Sequence, residues 1–327
     1  VSNTDPAPAE VACVASPFAG VLRPREVPLG GPRAINVRRT LPQRERAMIG
    51  AWCFVDHYGP HDVRGTGLGM DVPPHPHTGL QTVSWLFRGE VEHRDSAGVH
   101  AIVRPGELNL MTAGAGICHS EVSTPFADTL HGVQLWVALP DGARDTGRDF
   151  AHHVPQPHAV GGATLRVFLG ELAGLRSPVP TFTPLLGAQL DLPAGAEFTV
   201  DVDPGFEHGA LLDHGDVEAA GMALRPGELA VQDAGCAQLS VINHGATPAR
   251  LILLGGPPFG EQLLMWWNFV GRSHADIVAA REQWQAESDR FGRVSGYRGG
   301  VSRLPAPPLP NATLRPRPNR TLKKESP

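Results

Sequence analysis

The sequence predicts an all-β protein that repeats one fold twice. Three observations carry this reading. Gly (38) and Pro (32) together make up about a fifth of the 327 residues, where about an eighth is average. Apolar stretches recur roughly every ten residues with turn residues between them, the pattern of a sandwich or barrel. The phrase "RPGELNL" at Arg104–Leu110 returns as "RPGELAV" at Arg225–Val231, each followed closely by Ala-Gly, as expected of two copies of one unit. The same composition argues against a helical bundle or coiled coil.

Taken in order, residues 1–20 form an Ala/Pro-rich lead, expected to be loose. "GAWCFVDHYGP" at Gly50–Pro60 reads as a buried strand closed by a turn. In "LQTVSWLF", Leu80, Thr82, Ser84 and Leu86 alternate with Gln81, Val83, Trp85 and Phe87. Both faces are mostly apolar, so this strand is expected to be packed on both sides. "GEVEHRD", "GVHAIVRPGELNLMTAG" and "LHGVQLWVALP" complete a first domain, placed at 21–155. A second series of strands begins near Gly161 and defines a domain at 156–295. Helix is scarce until "SHADIVAAREQWQAESDRFG". There Ser273 can cap, Asp276 completes a capping box, and Ile277, Ala280, Arg281 and Trp284 share a face. Gly292 is the expected stop. Residues 296–327 are Pro-rich and basic, and are expected to be a disordered tail.

The net charge is −5. A chain that binds nucleic acid directly is usually basic, so that class is not expected. The charge is uneven: Arg303, Arg315, Arg317, Arg320, Lys323 and Lys324 face one acid, Glu325, in the tail. Such a tail would suit an acidic protein partner, although a solvated tail is the simpler reading. The four cysteines include no C-x-x-C pair and make no disulfide framework. No leader pattern and no apolar run of about 18 residues is evident. A cytoplasmic protein without membrane contact is therefore expected.

The chemistry lies in Pro74–Glu121. His75 and His77 flank Pro76, and His119 and Glu121 flank Ser120. In extended backbone, residues i and i+2 point the same way. If the two segments are neighbours, three imidazoles and a carboxylate meet in one interior, a donor set suited to a first-row transition metal. Phosphate-loop, dinucleotide, zincin and nucleophile-elbow motifs are absent.

"PHPHTGLQTVSWLFRGEVEHRDSAG" with "VRPGELNLMTAGAGICHSE", together with "DHYGP" at Asp56–Pro60 and "WWNFV" at Trp266–Val270, resembles the pirin family of the cupin superfamily over most of residues 33–290. The resemblance implies two stacked cupin-type β-barrels of the double-stranded β-helix or jelly-roll kind, followed by the short C-terminal helix. It also implies one mononuclear metal in the first barrel, most often iron, held by His75, His77, His119 and Glu121. The same donors would accept Mn, Co, Ni, Cu or Zn. Family members often carry Arg-Gly-Phe-Glu after the His pair, where this chain has Thr78-Gly79-Leu80-Gln81. Glu121 is then the expected carboxylate ligand, since the amide of Gln81 is a poor substitute.

The resemblance implies quercetin 2,3-dioxygenase-like chemistry on a flavonol or similar small aromatic substrate with O₂, with Glu121 as catalytic base. The alternative is a non-enzymatic, redox-sensing iron protein that partners transcription regulators or metabolic enzymes. Among the other histidines, His208 and His214 read as core or surface and His93 as a strand edge with a supporting role open to it. His131 can line the cavity. Cys118 is expected to face away from His119.

Overall fold

The computed structural model describes residues 9–12, 19–28, 35–64 and 69–315. Each half of the chain forms a large sheet and a four-stranded sheet. The first large sheet runs Asp149–His153, Leu108–Thr112, Leu80–Arg88, Thr129–Ala138, Trp52–Asp62, Asn36–Leu41, Arg25–Pro28. The second runs Ala19–Leu22, Leu229–Gln232, Glu207–His214, Ala249–Gly256, Leu186–Leu192, Ala163–Leu169, His158–Val160. The two orders superimpose strand for strand. The repeated phrase is why: Leu108–Thr112 and Leu229–Gln232 take equivalent places, each entered through a glycine at positive φ, Gly106 (73°) and Gly227 (86°).

The two large sheets face each other. Trp52, Val83, Trp85, Val133 and Leu135 of the first barrel pack with Phe168, Leu211, Leu229, Ile252 and Leu254 of the second in one apolar cluster. Trp85 stacks on Phe168 with ring centroids 4.6 Å apart. The indole N–H groups of Trp52 and Trp85 donate across the junction to the Leu186 carbonyl (3.0 Å) and Gln189 Oε1 (2.9 Å). The doubly apolar strand Leu80–Arg88 thus separates the first barrel's interior from the second barrel.

Three expectations need correction. The lead is partly ordered: Ala9–Ala12 pairs with Gln262–Trp266, and Ala19–Leu22 adds an edge strand to the second barrel. The hairpin Gln262–Trp266 and Phe269–Gly271, with the helix, packs on the first barrel although it follows the second in sequence. The segment after Gly296 is not loose up to residue 315. Leu304 N–H donates to the Pro74 carbonyl (2.9 Å), Tyr297 Oη to Asp71 Oδ1 (2.7 Å) and Trp284 Nε1 to the Leu304 carbonyl (2.8 Å). Ala306 and Leu314 are buried against the helix. These apolar residues and the indole override the Pro-rich composition. Residues 316–327 lie outside the described residues.

The helix spans His274–Gln285 with the predicted Ser273/Asp276 capping box and buries Ile277, Ala280 and Trp284. It stops before Gly292, because Glu287 takes a positive φ of 53° just past the end.

Candidate metal centre

His75 and His77 lie on Asp71–His77, and His119 and Glu121 on Ile117–Ser123. These strands pair antiparallel with His119 opposite His75, and a bulge falls between His119 and Glu121. All four side chains are buried, none above 1% exposed. His75, His77 and His119 bring their ligand atoms within 4.8 Å of one another, while Glu121 does so with His119 and His93.

The three imidazoles gather tightly. His77 Nε2 lies 3.0 Å from His119 Nε2, and the His75 and His119 ring centroids are 4.3 Å apart. His75 Nδ1 donates to the Pro73 carbonyl (2.8 Å), which leaves the lone pair on Nε2, an atom with no hydrogen-bond partner. Burial pushes the His75 pKa down to about 3 and holds His77 and His119 well below the usual histidine range, with each His also opposed by its neighbours' charge. Neutral imidazoles with inward lone pairs are what a metal requires. The rings of Trp136 and His77 meet edge to face, with centroids 5.2 Å apart and planes at 82°.

Among the described residues, ligand atoms lie within 4.8 Å of one another in three groups: His75, His77 and His119; His93, His119 and Glu121; and His57, His131 and Asp213. Glu121 thus closes with His119 and His93. Ser84 Oγ lies 3.2 Å from Glu121 Oε1 and 2.9 Å from Gln134 Oε1. Turning the Gln134 amide over would let its Nε2 donate to Ser84 and free the Ser84 hydroxyl for Glu121.

Gln81 faces away from the site and donates to Thr112 Oγ1 (2.9 Å). It sits on the Val83–Trp85 face, so the departure from the family pattern does not touch the donor set. His131 is a correction: it faces the other barrel instead of the cavity. Its Nε2 and that of His57 lie 2.6 and 2.7 Å from Asp213 Oδ1, while His214 Nδ1 bonds Oδ2 at 2.8 Å. Arg250 Nη1 stands 3.4 Å from the same carboxylate. A carboxylate already met by three imidazoles and a guanidinium is a junction for hydrogen-bond donors, and that charge opposes a dication. His208 is buried and His214 half exposed. Cys118 packs outward against the helix side with burial raising its thiol pKa to about 11.

Sequence reasoning missed Ser84, Asp95 and the hairpin behind His77. Val270 N–H donates to the Thr78 carbonyl (3.0 Å), beside the ligand. The "WWNFV" phrase was the available signal for that contact.

The second barrel keeps the strands without the donors. Where His75 pairs with His119, the equivalent pair is Val200 and Leu239, and Val241 stands where Glu121 does. All three are buried among apolar side chains.

Two stacked barrels with a His-rich centre inside the first define a cupin of the two-domain kind. The Pirin family model matches residues 34–137, and the Pirin C-terminal cupin domain model matches residues 187–292. A Pseudomonas aeruginosa protein named "Putative quercetin 2,3-dioxygenase" is 44% identical over 88% of this chain and 89% of its own length. Human pirin is 29% identical over 81% of this chain and 92% of its own. The crystal structure of quercetin 2,3-dioxygenase from Acinetobacter baumannii has a TM-score of 0.83 at 38% identity, covering 90% of this chain and 97% of that one. The chain belongs to the pirin family.

Proposed function

We propose that this chain is a metal-dependent dioxygenase of the quercetinase kind, acting on a flavonol or similar enolic or phenolic substrate. The observation that carries the reading is the convergence of the three buried imidazoles of His75, His77 and His119, with the buried carboxylate of Glu121 beside His119. His75, His77, His119 and Glu121 would hold a first-row ion, iron in our reading. Such an ion, when bound, supplies open coordination positions and one-electron chemistry toward O₂.

The chain's own residues would do the rest. Glu121 takes the proton of the substrate hydroxyl, leaving an oxyanion ready for oxidation. The Ser84 hydroxyl beside Glu121 Oε1 orients that carboxylate. Phe54 and Trp136, stacked at 4.0 Å, give the interior an apolar wall that excludes water. The names of the Pseudomonas and Acinetobacter relatives support this substrate class.

The test is oxygen uptake and carbon monoxide release by iron-loaded protein given a small flavonol panel. Turnover that Glu121→Gln removes while metal is retained would support the reading. Fully loaded protein that consumes no oxygen with any flavonol would contradict it and favour the non-enzymatic, partner-binding reading.

A further inference from the structure

Behind His119, on the side away from His77, lies a second pair of buried polar side chains. His93 and Asp95 sit on Val91–Asp95, the strand that flanks Ile117–Ser123, with Asp95 opposite His119 and His93 opposite Glu121. Each is 3% exposed. The His93 ring packs on Phe150 with centroids 4.9 Å apart.

The contacts form a line. His119 turns Nε2 to His77 and Nδ1 to His93, whose Nδ1 is 3.4 Å away. His93 Nε2 is 3.1 Å from Asp95 Oδ2. Asp95 Oδ1 accepts from the backbone N–H groups of Ala97 (2.8 Å) and Val99 (3.1 Å). The turn Asp95–Val99 therefore fixes the carboxylate.

We propose that Asp95 and His93 form a hydrogen-bond relay that sets the tautomer and direction of His119 as a metal ligand. The proposal rests on the metal-centre reading above. Each proton has one consistent place. A carboxylate only accepts, so His93 carries its proton on Nε2 and presents a lone pair at Nδ1. His119 then donates Nδ1–H to that lone pair and keeps Nε2 bare for the metal. A ligating histidine whose second nitrogen donates to such an acceptor is held in orientation and made more basic. His93 and Asp95 are thus positioning residues. The rival arrangement uses the second group above, with a metal on the Nδ1 side of His119 bound by His93 and Glu121.

The relay makes an unequal prediction for two small changes. In Asp95→Asn, the amide cannot accept from His93 and from the turn N–H groups together. Turned one way it drives His93 to its other tautomer, which sets N–H against N–H at His119. Turned the other way it sets N–H against the Ala97 and Val99 amides. In His93→Gln, the side-chain oxygen can still accept from His119.

The experiment titrates the full-length apo protein with Fe(II) and with Co(II) against a chelator, and records the Fe(III) EPR spectrum. The variants are His93→Leu, His93→Gln, Asp95→Asn and His75→Ala. The relay predicts metal affinity weakened about 10–100-fold in His93→Leu and Asp95→Asn, an altered EPR spectrum in both, and substantial rescue in His93→Gln. Wild-type affinity and spectrum in His93→Leu and in the near-isosteric Asp95→Asn would overturn the relay while leaving the metal centre standing. Metal lost in His93→Leu but kept in His75→Ala would overturn it in favour of the rival site. A wild-type protein that takes up no metal would overturn both the relay and the reading beneath it.

Discussion

His75 and His119 sit directly opposite each other on paired antiparallel strands. That one register brings the ligand atoms of His75, His77 and His119 together and sets Glu121 beside His119, because each of the two histidines brings its i+2 neighbour to the same face. The extra residue of the bulge lies on the His75 strand, between Val72 and His75, beside the site as bulges commonly are, while His119 and Glu121 stay in regular register with Asp95 and His93. The site is thus a property of pairing, and it is protected by whatever holds these strands in place.

The hairpin beside His77 is one such support. Gly79 has a φ of 69°, and a Cβ there would stand 2.3 Å from the Val270 carbonyl oxygen, so that oxygen would have to shift. Gly79→Ala is expected to cost about 1–3 kcal/mol from backbone strain alone. It should also weaken metal binding, because the displaced hairpin is bonded to Thr78. Urea denaturation and a chelator competition on the same variant measure both effects.

Asp213 ties the barrels together. Burial pushes its carboxyl up, but the bonds from His131, His214 and His57 outweigh that and hold it well below the usual carboxylate range. A depressed acid contributes stability above its unfolded pKa and loses it as pH falls below about 4. Asp213→Ala should therefore cost about 2–4 kcal/mol at pH 7, since it strands buried donors. The difference from wild type should shrink in acid. Metal content should not change, because the junction lies outside the first barrel's interior.

His208 makes an opposite test. Both its ring nitrogens are buried without partners, and burial pushes its pKa down to about 4. Folding then excludes a proton that the unfolded chain accepts below pH about 6.5. Its share of stability is complete above that pH and lost as pH falls through 4. His208→Leu should flatten the loss of melting temperature between pH 6.5 and 4 and leave the pH 7 value equal or higher. A steeper acid limb in the variant would contradict the assignment.

The sequence was most legible where period and chemistry agreed. The pairing of the His75 and His119 segments, the two-faced strand at Leu80–Arg88, the repeated Pro-Gly turn and the helix cap are found in the structure. Direction across a barrel wall was less legible. His131 looks like a cavity residue beside the motif, but strand register turns it to the other face. His93 was visible only as a strand residue, because its role needs the neighbouring strand. Long-range returns were hidden altogether. Pro-rich composition says nothing of Trp284 bonding Leu304 or of Tyr297 reaching Asp71. Nor does it say that Ala19–Leu22 completes the far barrel.

The central claim is that one metal is held by His75, His77, His119 and Glu121. The most direct measurement is metal per chain by elemental analysis after iron loading, on wild type, His77→Ala and the double variant His57→Ala/His131→Ala. The account predicts one equivalent in wild type, almost none in His77→Ala and one in the double variant. Metal that survives His77→Ala and disappears from the double variant would place the centre at the barrel junction and contradict the account.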